Sequence, residues 1–171
     1  MKIAIIGGGA AGFFAAANIK SHEVSVFEKS SDVMQKVKVS GGGRCNITNS
    51  EIELNSLNKY YPRGHKELRQ AMNIFGCIET MKWFEKHGLK LKIEQEGKVF
   101  PVSDMSEDVI NLLKKSKAKI FLNKEAIDII PENGKYILKF RNEVRSYIFD
   151  KVIVSIGGFN KPRLFKNLNL A

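Results

Sequence analysis

Apolar positions change their spacing several times along the chain, and each change predicts an element. Lys2-Ile3-Ala4-Ile5-Ile6 is an unbroken apolar run of strand length, and Gly7-Gly8-Gly9-Ala10-Ala11-Gly12 follows it directly. Phe13 to Lys20 is alanine-rich and suits a helix, and His22 to Phe27 is a second β-type run closed by Glu28. Lys29 to Met34 is polar and loop-like. Gln35 to Val39 leads into Ser40-Gly41-Gly42-Gly43-Arg44-Cys45-Asn46, and Ser50 to Gly64 has no period and predicts a long connection. Leu68, Met72 and Phe75 recur at helical spacing, as do Ile78, Met81 and Phe84. They predict helices over His65–Phe75 and Cys77–His87, broken at Gly76 and stopped at Gly88, with both stripes packed in the core.

Leu89 to Phe100 predicts two short strands around Glu96-Gly97. Ser103 or Asp104 can cap a helix that runs through Val109, Leu112 and Leu113 to about Ser116. Lys119 to Leu122 reads as a strand. Ala126–Ile130, Lys135–Phe140 and Val144–Phe149 are β-type runs separated by Asn133-Gly134 and Arg141-Asn142-Glu143, a hairpin pattern. Lys151 to Ile156 is again fully apolar and ends at Gly157-Gly158. The order predicts an α/β fold whose parallel sheet is interrupted by a three-stranded antiparallel meander.

The opening segment carries chemistry. Gly7, Gly9 and Gly12 fit G-x-G-x-x-G between a strand and a helix, with Glu28 about twenty residues on. Gly7 permits the tight turn, Gly9 lets a pyrophosphate approach the backbone, and Gly12 lets the helix lie close to the strand. The helix N-terminus offers unpaired N–H groups and partial positive charge to phosphates. Glu28 can accept hydrogen bonds from a ribose and would repel a 2′-phosphate, which favours FAD or NAD over NADP. A secretory leader is the competing reading of Met1 to Ala17, but three glycines interrupt its apolar run.

The chain has 171 residues, so one domain is the default expectation. Its formal charge is +10, which favours anionic partners. The lysines are scattered, Lys82, Lys86, Lys90 and Lys92 among them, and read as solvated faces without interleaved aromatics. Neither specific nucleic-acid binding nor a membrane span is expected. Cys45 and Cys77 form no C-x-x-C, and no spacing of His22, His65 or His87 suggests a metal site. Cys77 reads as a small buried hydrophobe. Cys45 beside Arg44 is tempting as a low-pKa redox thiol, but packing or cofactor contact is the preferred role.

The second glycine run can bring backbone N–H groups together as an anion nest, with Arg44 as a two-pronged anion ligand and Asn46 and Thr48 as neutral partners. Here the chain resembles the BaiN-like flavoproteins, also called aminoacetone-oxidase-family FAD-binding enzymes. The resemblance rests on Ile6 to Gly12 with Phe27-Glu28-Lys29 and on Lys36 to Asn49 around Ser-Gly-Gly-Gly-Arg-Cys-Asn. It continues in Glu94 to Pro101 and in Val152 to Gly158. Lys98 stands where that family usually has arginine, and Ser155-Ile156 replaces the commoner Ala-Thr.

The resemblance implies a Rossmann-like three-layer FAD/NAD(P)-binding domain, noncovalent FAD, redox chemistry in the cytoplasm and a small-molecule substrate, with NAD(P)H a candidate electron donor. It implies pyrophosphate at Gly7, Gly9, Ala10, Ala11 and Gly12, and adenosine ribose at Glu28, flanked by Lys29. The Gly41 to Asn46 loop, with Gly42, Gly43, Arg44, Cys45 and Asn46, would line the flavin end, and Lys36 would also bind the cofactor. Ala126 would contact adenine through its backbone, and Gly157 would pack beside the cofactor. Members of that family continue past the last glycine turn into a substrate domain and a closing flavin segment. The expectation is therefore an incomplete FAD-binding domain over 1–171, lacking full activity alone and completed by a missing half or second chain. An NAD-binding dehydrogenase module and a non-catalytic remnant without cofactor are the alternatives.

Overall fold

A computed structural model describes residues 1–158 and 166–168. Its first elements are β1 (Lys2–Ile6), α1 (Ala10–Asn18), β2 (Glu23–Phe27), α2 (Gln35–Val39), β3 (Thr48–Asn49) and α3 (Leu57–Tyr60). There follow α4 (His65–Ile74), α5 (Cys77–Lys86), β4 (Leu91–Ile93), β5 (Lys98–Pro101), α6 (Ser106–Lys114) and β6 (Lys119–Phe121). The last are β7 (Ala126–Glu132), β8 (Lys135–Phe140), β9 (Tyr147–Phe149) and β10 (Lys151–Val154). They form two compact units, Met1–Lys36 with the chain from Leu113 onward, and Val37–Leu112.

In the first unit, four parallel strands lie in the order β10-β1-β2-β6. The apolar run of β1 is buried on both faces, as a central parallel strand requires. Ala4 and Ile6 join a cluster with Phe27, Ile129, Leu138, Phe140 and Phe149, so the antiparallel sheet β7-β8-β9 covers one face. Ile5 points the other way, toward Gly12 of α1, where Phe13 and Ala16 are also buried. The period-2 alternation of one strand thus builds three layers. Phe27 holds the centre, stacked on Phe121 at 5.0 Å and tilted against Phe140 at 4.6 Å between ring centroids. The meander between two parallel strands is the one expected from the sequence.

The second unit carries a small antiparallel sheet, β3-β5-β4, with Val99, Phe100 and Pro101 of β5 buried. The helices α4 and α5 form where expected, but their stripes are not all core. Phe75 is 37% and Ile78 57% exposed, while Leu68 and Met72 are half-buried. Helical spacing marks which side of a helix is apolar and is silent on what covers it. Cys77 and Phe84 do become core. The unpatterned stretch from Ser50 to Gly64 holds a 3-10 turn at Leu54–Ser56 and the short α3. Asp104 does not cap α6. It takes a left-handed conformation, φ 56°, and its carboxylate accepts from Lys92 and Arg44.

Candidate functional site

β1 ends in a turn that leaves no room for side chains at Gly7, Gly8 or Gly12. Gly7 adopts φ 108°, and a Cβ there would lie 2.5 Å from the Ser155 carbonyl oxygen. A Cβ on Gly12 would lie 2.1 Å from the Gly7 carbonyl oxygen, so α1 reaches β1 only through glycine. Gly8, the free position of the motif, is also constrained, because a Cβ there would meet Val33 Cγ1 at 2.9 Å and Glu28 Cβ at 3.0 Å. Gly9 is different. It precedes α1 without a side-chain cap, no acid occupies the first helical turn, and nothing lies within 4 Å of its Cβ direction. The helix start is open and uncapped, which fits the approach of an anionic diphosphate.

Glu28 is aimed at this turn. Its Oε2 accepts the Gly8 N–H at 2.8 Å and its Oε1 accepts the Ser30 N–H at 2.9 Å. Its own N–H donates to Phe121 O at 2.9 Å, and its carbonyl accepts from Lys124 N at 2.8 Å. Two backbone N–H groups fix the carboxylate, two more bonds fix its main chain, and the carboxylate keeps lone pairs for hydroxyl donors. Ala126 opens β7 just past Lys124. Gly157, at φ 72°, follows β10 and sits two residues beyond Ser155.

Ser155 ties the two glycine turns together. Its backbone N–H donates to Ile6 O at 2.8 Å, and its hydroxyl is shared between Gly7 O at 2.9 Å and Ile6 O at 3.1 Å. We expect Ser155→Ala to lower stability by about 1 kcal/mol, one net hydrogen bond. Calorimetry should show a melting temperature about 3 °C lower, and an unchanged value would show the hydroxyl contributes nothing.

The second glycine run, in the other unit, is a wound loop. Gly41, Gly42 and Gly43 have φ of 57°, 70° and 88°, and Cys45 follows at 61°. Three consecutive residues in the left-handed region explain the glycine run. Cys45 N donates to Ser40 O at 2.9 Å and closes the loop. With its side-chain amide turned over, Asn46 donates to Thr48 O at 2.9 Å. Arg44 Nη1 donates to Glu94 Oε1 and Oε2 at 2.8 and 2.9 Å and to Asp104 Oδ1 at 3.2 Å. Lys92 Nζ lies 3.1 Å from Glu94 and 2.5 Å from Asp104, so it belongs to this cluster rather than to a solvated face.

Hydrogen bonds from Arg44 hold the Glu94 carboxyl below the usual carboxylate range, and Lys92 does the same for Asp104. The stability these acids contribute is present above their ordinary pKa and is lost as pH falls through their lower folded values. The melting-temperature gap between the native chain and the double variant Glu94→Gln, Asp104→Asn should be open at about pH 6 and close toward about pH 3. A gap that does not change with pH would remove the acids from the stability account. Burial pushes the Cys45 thiol upward, and a Ser40 hydrogen bond offsets this only in part. Arg44 is engaged with carboxylates and does not activate it, which speaks against the low-pKa alternative for Cys45.

The structure brings Gly7, Gly9, Ala10, Ala11, Gly12, Glu28, Lys29, Ala126 and Gly157 into one unit. Gly42, Gly43, Arg44, Cys45 and Asn46 stand in the other, and Lys36, on α2, is the last residue of the first unit's opening segment. Sequence reasoning missed the Glu28–Gly8 hydrogen bond, the Ser155 hydroxyl and the partners of Arg44. The last lie 50 and 60 residues away, beyond any spacing rule.

A three-layer unit with a closed glycine turn and an acid at the neighbouring strand end defines a dinucleotide-binding Rossmann domain of the FAD-binding type. The chain belongs to the family described as HI0933-like protein Rossmann domain, whose profile matches residues 1–166. It is similar to a 3-dehydro-bile acid delta(4,6)-reductase of Clostridium scindens, 30% identical over 92% of this chain and 39% of that protein. It is also similar to a ribosomal RNA dihydrouridine synthase of Haemophilus influenzae, 27% identical over 94% of this chain and 41% of that one. The chain thus spans about two fifths of the length of these relatives. The THI4 structure of Thermovibrio ammonificans shares the fold, with TM-score 0.59 and 13% identity over 98% of this chain and 61% of its own. So does a flavocytochrome c3 fumarate reductase, with TM-score 0.60 and 16% identity over 90% of this chain and 33% of that one. No helix among the described residues is long and apolar enough to cross a membrane.

Proposed function

We propose that this chain holds FAD for a flavin-dependent oxidoreductase whose complete form includes residues beyond these. The observation that carries the reading is the sterically closed Gly7–Gly12 turn, open only at Gly9, with the Glu28 carboxylate fixed beside it. The N–H groups of Ala10, Ala11 and Gly12 bind the pyrophosphate, and Gly7 and Gly9 shape its approach. Glu28 accepts from the adenosine ribose, Lys29 flanks it, and the backbone of Ala126 lies toward the adenine. Gly157 packs beside the cofactor. Lys36 and the loop Gly42, Gly43, Arg44, Cys45 and Asn46 serve the flavin end.

A bound flavin supplies the two-electron carrier. These residues bind it, orient it and hold its phosphates without a mobile side chain. The named relatives are a 3-dehydro-bile acid delta(4,6)-reductase and a ribosomal RNA dihydrouridine synthase, and their names point to the class of reductions. We extend that class to the complete protein, with NAD(P)H as the donor of the electron pair, a small unsaturated substrate and a cytoplasmic setting.

The test is a spectrum of the purified chain before and after FAD, with NAD titrated in parallel. A flavin absorption that stays with the protein through gel filtration supports the reading. Binding of NAD alone would assign the turn to a dehydrogenase module. Binding of neither, here and in a longer chain that includes the following region, would overturn it.

A further inference from the structure

We propose that Arg44 is a positioning residue, which braces the Ser40–Asn46 loop from the protein side and does not spend its charge on the cofactor. The inference rests on the FAD reading above. Among the described residues the guanidinium donates three hydrogen bonds, all from Nη1, two to Glu94 and one to Asp104. Its plane also lies against the Phe100 ring, 4.0 Å from the centroid. Phe100 is 2% exposed, and its Cε1 stands 2.9 Å from where a Gly41 Cβ would sit, so the ring supports both the loop and the arginine.

Charge excludes the simpler role. Arg44 and Lys92 face Glu94 and Asp104, so the cluster is formally neutral. A diphosphate approaching Arg44 would meet two carboxylates already in contact with it, and their repulsion offsets the attraction. A flat cation fixed at one nitrogen and stacked on an aromatic face is well suited to holding a backbone in place. What it holds is a run of left-handed residues, a conformation that needs support from its surroundings at Cys45 above all.

The arrangement joins two sequence motifs that lie far apart. Arg44 comes from Ser-Gly-Gly-Gly-Arg-Cys-Asn, and its partners Glu94 and Phe100 are the ends of Glu-x-x-Gly-Lys-Val-Phe. Each motif supplies half of one brace. Lys98 stands outside it, exposed and paired with Glu96 at 2.6 Å, so lysine serves there as well as arginine.

The experiment compares Arg44→Gln, Glu94→Gln, the double variant and Lys98→Arg. FAD affinity is read by fluorescence at low and high salt, and bound flavin by visible circular dichroism. A brace predicts that each single variant weakens FAD by about 5- to 10-fold and that the double is no weaker than either single. It also predicts that the flavin dichroism changes alike in all three, the salt dependence matches the native chain, and Lys98→Arg changes nothing. A direct grip predicts a different outcome: Glu94→Gln binds FAD as well or better, and Arg44→Gln alone flattens the salt dependence. That result overturns the proposal. If neither the native chain nor the longer one binds FAD, the FAD reading fails separately. Amide exchange over residues 40–46 of the free chain then decides: faster exchange in both single variants supports the brace, and unchanged exchange overturns it.

Discussion

Replacing Gly12 with alanine should lower the melting temperature of this chain by about 10 °C. The added methyl would sit 2.1 Å from the Gly7 carbonyl oxygen, 2.8 Å from Ser155 Oγ and 3.2 Å from Ile5 Cγ2. Real carbon–oxygen contacts do not close to that distance, and a backbone carbonyl cannot rotate away as a side chain does. Either α1 lifts from β1 or the turn distorts. Forcing one methyl into a packed core costs about 1–3 kcal/mol and occasionally more, and here the obstacle is main chain, so the upper end applies. For a chain of this size about 3 kcal/mol corresponds to about 10 °C. Gly9→Ala is the matched control, since nothing lies within 4 Å of that position. Its melting temperature should hold while FAD affinity falls, because on the proposed reading the methyl would occupy the phosphate approach. Equal melting temperatures for the two variants would refute the steric account of the turn.

The second large effect is on affinity. Glu28→Gln should weaken FAD by about 10- to 100-fold, the loss expected when hydrogen bonds to a charged acceptor are removed. The carboxylate receives the Gly8 and Ser30 N–H groups on separate oxygens. A glutamine offers one acceptor, so its NH2 would face a backbone donor. The turn then loses its fixed partner as well as the proposed ribose ligand. Fluorescence titration gives the affinity, and a melting curve taken alongside separates binding loss from unfolding. On the proposed reading the carboxylate also sets which ribose is accepted. Glu28→Gln removes the repulsion toward a 2′-phosphate, so discrimination against phosphorylated dinucleotides should narrow. Unchanged FAD affinity would take Glu28 out of the site.

The fold was legible where a local rule decides the outcome. The run Lys2–Ile6, the glycine turn and Glu28 each answer to a short-range requirement, and all three fall where the spacing places them. The antiparallel insertion was legible because Asn133-Gly134 punctuates alternating runs. What escaped depends on distant partners. Asp104 reads as a helix cap from its neighbours, but two cations from other segments draw it into a charge cluster. Phe75 and Ile78 have the spacing of core residues, but spacing carries no information on cover. Lys92 looks like one of many solvated lysines until the fold sets it between two acids. For Arg44 the sequence supplies the charge and the fold supplies its compensation.

Burial of Cys45 has a practical consequence. Its thiol is shielded within a tightly wound loop and its ionisation is disfavoured, so an alkylating reagent must wait for the segment to open. With Cys77 replaced by serine, the labelling rate becomes a built-in clock for that opening, and slowing of the clock by added ligand would report occupancy without any optical signal.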